Sequence, residues 1–145
     1  MMIKTDYGAD IFQKGFNCAQ AVFSSFSENY GLDIVKACKI AGGLGSGARA
    51  AELCGAVSGA VLVIGLKYGQ GTAGEADMKL KCDAETENFI RRFRAANGDI
   101  ICRNLLECDI TTTEGRENAV TKGLFITKCK DLVVSAISML IDMGY

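Results

Sequence analysis

Between Glu52 and Tyr68 the chain is apolar on almost every helical face, with Ala56, Val57, Ala60, Val61, Leu62, Val63, Ile64 and Leu66 in one run. Such a segment finds no aqueous side to present and belongs at the centre of a helical domain, surrounded by other helices. The remaining chain supports this, because apolar residues recur at helical spacing and strict alternation over strand lengths is hard to find. The reading is all-α, a single-domain helical bundle around a central apolar helix spanning residues 1–145. No Pro- or Ser-rich linker divides it.

The other elements follow from caps and breakers. A first amphipathic segment covers about Thr5 to Lys14, with Ile11 and Phe12 inward, and ends at Gly15. Asn17 with Gln20 three positions on makes a capping box, so Cys18 becomes the first residue of a helix carrying Val22, Phe23 and Phe26 on its inner face; Gly31 closes it. A helix from Asp33 to about Ala41 runs into Gly42-Gly43-Leu44-Gly45-Ser46-Gly47, read as a structural turn, since no strand precedes it and no Lys-Ser/Thr follows. Arg49 beyond it reads as a solvated arginine, with neutralisation of an anionic site as the other use. Gly55 and Gly59, four apart, admit either a neighbouring backbone or a bulky cofactor. Ser46 is a second candidate cap for the central helix, one that would place Cys54 in its second turn. A polar helix from about Glu75 to Ala96 turns Leu80, Phe89, Ile90 and Phe93 inward and stops at Gly98. Asp99 caps a short helix with Cys102 as its third residue, anchored by Leu105 and Leu106. Thr111 and Glu114 form another capping box, opening a segment through Ala119 and Val120, and a last helix begins around Thr127 and Cys129.

Seven cysteines and no histidine leave sulfur as the reactive chemistry of the chain. Four of them, Cys18, Cys54, Cys102 and Cys129, fall at or near helix starts, where a thiol is most easily converted to thiolate. The absence of any Cys-x-x-Cys pair means that a site must be assembled from distant segments. Cys38 and Cys82 read as small buried or half-buried hydrophobes. Cys108 stands in reserve.

The strings Gly15-Phe16-Asn17-Cys18-Ala19-Gln20-Ala21-Val22, Cys54 to Gly59 followed by Gly65-Leu66-Lys67-Tyr68-Gly69, Cys102-Arg103-x-Leu105-Leu106-x-Cys108-Asp109, and Lys122-Gly123-Leu124-Phe125 before Cys129 together resemble the C_GCAxxG_C_C family of redox-active proteins. The likeness extends over nearly the whole chain. It implies that Cys18, Cys54, Cys102 and Cys129 are the recurring cysteines, with Cys108 also common. Similar domains occur with haem-binding modules in split-Soret cytochromes, which implies an electron-transfer setting and an iron-sulfur centre. This chain has no Cys-x-x-Cys-His, so it carries no haem attachment site. It departs from the family pattern in the glycine-poor stretch 47–52 and at Lys130, where a proline often follows the last cysteine.

The expectation is a redox protein binding an iron-sulfur cluster, 2Fe-2S favoured, through Cys18, Cys54, Cys102 and Cys129. An oxidised 2Fe-2S unit on four thiolates carries a charge of about -2. Four helix starts, each equivalent to roughly +0.5, would offset it. Two alternatives belong to other classes: a thiol-disulfide oxidoreductase using Cys18 and Cys54, which would also be the first pair to form a disulfide in a metal-free protein, and a helical module pinned by a four-cysteine zinc site. Absence of histidine excludes Ser-His-Asp hydrolysis. A formal charge of -1 without a basic cluster argues against nucleic acid. No secretory signal and no spanning apolar run are evident, so no membrane insertion and a cytoplasmic location are expected. The electron-transfer partner is left unidentified, and a homo-oligomer is compatible with the sequence.

Overall fold

The computed structural model describes residues 2–145 and is all-α, with no strand among the described residues. In chain order the helices are α1 (Lys4–Gln13), α2 (Cys18–Ser27) with a 3-10 turn after it (Glu28–Tyr30), α3 (Ile34–Ile40), α4 (Gly55–Tyr68), α5 (Ala76–Asn97), α6 (Cys102–Leu106), α7 (Thr113–Thr121) and α8 (Lys128–Asp142). None of the described helices is long and apolar enough to cross a membrane.

Local chemistry sets most boundaries. The capping box at α2 is complete: the Gln20 backbone N–H donates to Asn17 Oδ1 at 2.8 Å, and the Asn17 N–H donates to Gln20 Oε1 at 2.8 Å. Asp33 caps α3 by accepting from the Lys36 N–H at 3.0 Å. Gly98, at φ 94°, ends α5 in a conformation that costs other residues more.

Two caps differ from expectation. Thr112, not Thr111, caps α7 by accepting from the Gly115 N–H at 3.0 Å. Thr111 is held instead by Asp109, whose Oδ1 accepts from its N–H at 3.0 Å and from its hydroxyl. Asp99 stands outside α6: its carboxylate accepts from the N–H groups of Ile100 and Ile101 and from the Asn104 amide, Ile101 occupies the cap position, and Cys102 is the first helical residue. Ser46 caps nothing. It is left-handed at φ 55°, and α4 starts only after Cys54.

The most buried helix is α2, a correction to the centrality expected of α4. Ala19 and the unbroken run from Ala21 to Ser27 are buried, whereas Val61, Leu62 and Leu66 of α4 are only partly covered. The three serines of α2 concealed this from a count of apolar residues. A serine can be buried in a helix by satisfying its hydroxyl on its own backbone, as Ser25 Oγ does by donating to the Ala21 carbonyl at 2.6 Å. Helix α2 touches α1, α3, α4 and α8. Leu80 and Val120 are exposed rather than inward: no residue of α5 before Phe89 is buried, and Val120 lies one helical step beyond buried Ala119.

The close approach of α2 and α4 runs through glycines. A Cβ at Gly59 would lie 2.7 Å from the Ala19 carbonyl oxygen and 3.0 Å from the Ala19 Cα, and one at Gly55 would lie 3.0 Å from Cys18 Cβ. The glycine pair therefore admits a neighbouring backbone. Gly65, on the same helix, has nothing within 4 Å of such an atom. Gly59→Ala is expected to lower stability by about 1–3 kcal/mol through overpacking, whereas Gly65→Ala should be neutral or stabilising by about 0.5–1 kcal/mol. Denaturant midpoints of the two variants check this, and equal midpoints would contradict the packing.

Candidate functional site

Each of the four cysteines singled out by position reaches the same place by a different local device. Cys18 is set by the α2 capping box, and the glycines of α4 bring the α2 start against the α4 start. Cys54 occupies the cap position of α4. It is tied to Cys102 through an isolated antiparallel bridge between Leu53 and Ile101: the Cys54 N–H donates to the Ile100 carbonyl at 2.8 Å and the Cys102 N–H to the Glu52 carbonyl at 2.6 Å. Outside that bridge, Arg103 closes a salt bridge on Glu52 and donates to the Ala50 carbonyl at 3.0 Å. Cys129, second in α8, donates its N–H to the Leu124 carbonyl at 3.0 Å, which ties the helix start to the turn before it.

The result is one cavity of about 400 Å³ lined by Cys18, Cys54, Cys102 and Cys129. Cys54, Cys102 and Cys129 are buried and Cys18 half-buried. Phe12, Phe16 and Phe125 supply apolar wall, and Arg49 and Arg116 supply the charge. The convergence expected of the four thiols is present. Cys108 is buried in one apolar cluster with Cys102, Cys129, Leu106, Ile110 and Ala119 but does not itself line the cavity, Cys38 is buried, and Cys82 is half-buried.

The electrostatics differ from a simple helix-start argument. Burial raises the pKa of Cys54 to about 11, although the N–H groups of Ala56 and Val57 pull it down. Burial, reinforced by the neighbouring Cys54 and Cys129 sulfurs, raises Cys102 to about 12. Cys18 and Cys129 share a hydrogen bond that holds Cys129 below the ordinary thiol value and Cys18 well above it, with burial adding to the rise of Cys18. Desolvation is thus the leading influence at Cys54 and Cys102, and Cys129 is the leading influence at Cys18. Moreover, α6 has five residues and offers only a weak dipole, leaving α2, α4 and α8 as the helices of useful length. All seven cysteines are free, and Cys129 acts on the ionisation of Cys18 more strongly than Cys54 does.

Among the described residues no three Cys, Asp or Glu side chains are gathered as ligands of a single metal ion.

Sequence reading did not single out Arg116, and it placed Arg49 in solvent. Arg116 lies in a polar stretch with no distinguishing spacing; Arg49 is exposed, as read, and also borders the cavity, at the end of residues 46–49, which are all left-handed at φ 55°, 63°, 57° and 61°. A run of three non-glycine residues in that region has no sequence signature.

Four thiols around one cavity are the distinctive chemistry of this all-α protein. The model of the family described as "Putative redox-active protein (C_GCAxxG_C_C)" matches residues 16–143, and the chain belongs to that family. No curated protein and no solved structure matches it.

In reduced, metal-free protein, the four cavity thiols should differ in reactivity. Iodoacetamide near neutral pH is expected to modify Cys129 first, while labelling of Cys54 and Cys102 grows about tenfold per pH unit toward their higher pKa values as the thiolate fraction rises. Peptide mass spectrometry follows the order, and comparable neutral-pH rates at Cys54 and Cys129 would contradict the assignment.

Proposed function

We propose that the protein is a redox carrier in which Cys18, Cys54, Cys102 and Cys129 hold an iron-sulfur cluster, 2Fe-2S favoured, and exchange electrons with a partner protein. The observation that carries this reading is the one cavity shared by four thiols in a chain without histidine. A zinc site needs its sulfurs about 2.3 Å from one ion. A cavity of about 400 Å³ bordered by all four thiols has room for a polynuclear centre, in which different sulfurs bind different irons.

Such a cluster supplies one-electron chemistry when bound. The chain's part is to bind, neutralise and exclude water. Cys54 and Cys102 are held in register by the two backbone hydrogen bonds of the bridge, and Cys18 is held by the capping box. The high thiol pKa values mean that loading must displace protons, so uptake is favoured by rising pH. Arg49, Arg116 and the α2, α4 and α8 starts offset the resulting negative charge. Phe12 and Phe125 limit water at the sulfurs.

The Cys18–Cys129 hydrogen bond supports a second reading. A depressed thiol beside a protonated one is the arrangement of a nucleophile with its resolving partner, so a thiol-disulfide oxidoreductase would use Cys129 and Cys18.

Anaerobic reconstitution with iron and sulfide separates the readings. Wild type is expected to gain visible charge-transfer absorption with stoichiometric iron; Cys18→Ser, Cys54→Ser, Cys102→Ser and Cys129→Ser should each lose most of it, and Cys82→Ser should retain it. Colourless protein that forms a Cys18–Cys129 disulfide under mild oxidation would favour the second reading, and equal behaviour of all five variants would defeat the first.

A further inference from the structure

The thiol cavity is bordered by charge of one sign. Arg49, exposed, and Arg116, half-buried, border it and no Asp or Glu does, in a chain whose formal charge is -1. Arg103, just outside, is neutralised by Glu52, but among the described residues neither Arg49 nor Arg116 has a carboxylate partner. Arg116 is half-buried and lies 5.3 Å from the centre of the Phe125 ring, a contact that positions a guanidinium without cancelling its charge. Arg49 is delivered by the left-handed run from Ser46 to Arg49, whose three non-glycine residues each cost of order 1 kcal/mol or more. Gly47 within that run sits against Cys102, with 3.0 Å from its would-be Cβ to Cys102 Cβ, so the strained turn is packed onto the thiol wall.

An uncompensated positive pair at a cavity of about 400 Å³ is an anion seat of small-molecule size. We propose that the cavity is a substrate or ligand site for a small anion, a carboxylate or oxyanion held by Arg49 and Arg116 with its other end presented to the cysteines. The proposal rests on the reading of this cavity as the working site and deepens it: the centre acts on, or is gated by, a diffusible anion as well as serving a protein partner. The starts of α2, α4 and α8 add positive potential from a second, independent source. Focusing of that potential by low-dielectric walls raises the local concentration of anions over that of neutral molecules of the same size.

A pair of reagents of nearly equal size reads this directly on reduced, metal-free protein. Iodoacetate carries the carboxylate and iodoacetamide does not. In both, the thiolate sulfur bonds to the methylene carbon and iodide leaves. The ratio of their rates at the cavity cysteines, at one pH and low ionic strength, cancels differences in thiolate fraction. In wild type this ratio is expected to exceed that of N-acetylcysteine by about tenfold, falling as salt is added. Arg49→Gln and Arg116→Gln should each lower it, the double variant should bring it to the N-acetylcysteine value, and Arg116→Lys should keep most of it. Arg91→Gln, an exposed arginine on α5 away from the cavity, should leave it unchanged. A wild-type ratio equal to that of N-acetylcysteine overturns the proposal. So does an equal fall in Arg91→Gln, or a double variant that slows both reagents alike. Reconstitution of the cluster is a separate readout: loss of colour with the ratio intact removes the iron-sulfur reading and leaves the anion seat, and colour without the ratio does the reverse.

Discussion

The closeness of α2 and α4 is the constraint on which the site depends. Gly55 and Gly59 remove the side chains that would hold the helices apart, and Ala19 and Val22 of α2 fill the space. This contact does two things at once. It buries the faces that make the core, and it sets the first residue of α2 beside the cap residue of α4, so that Cys18 and Cys54 open into one cavity. Core packing and site geometry are thus the same interaction, and a packing change at Gly55 is felt directly at Cys18.

The second organising contact is much smaller. One antiparallel bridge, Leu53 with Ile101, carries two backbone hydrogen bonds that register Cys54 against Cys102. Each hydrogen bond contributes only about 1 kcal/mol net. Its value lies in direction, because the bridge fixes two sulfur-bearing segments that are distant along the chain. The Arg103–Glu52 ion pair outside it is exposed, and its contribution is one of alignment more than of stability.

Burial and charge oppose one another at the thiols. Cys54 and Cys102 are pushed toward the protonated form chiefly by desolvation and Cys18 chiefly by Cys129 with burial adding, while the helix starts and the bordering arginines favour negative charge. A cavity that resists isolated thiolates and is nonetheless lined with cations suits an occupant that brings both positive charge to the sulfurs and negative charge overall. Metal-thiolate clusters meet both conditions.

The sequence by itself determined the helical class, the breaks at Gly15, Gly31 and Gly98, the α2 cap and the identity of the helix-start cysteines, because those follow from periodicity and from interactions within a few residues. It placed Val22, Phe26, Phe89 and Phe93 inward, as they are, and misjudged other positions. Ser24, Ser25 and Ser27 conceal the burial of α2, Leu80 and Val120 look apolar yet stand in water, and Asp109 displaces the α7 cap by one residue through a bond that composition does not reveal. Only the tertiary structure decided that the thiols share a cavity, that Cys129 is the one acting most strongly on Cys18, and that Arg49 and Arg116 join them. The physical reason is range: caps and helix periods are encoded by neighbours in the chain, whereas a cavity is set by glycine-scale clearances and a backbone bridge between segments that meet only after the helices pack.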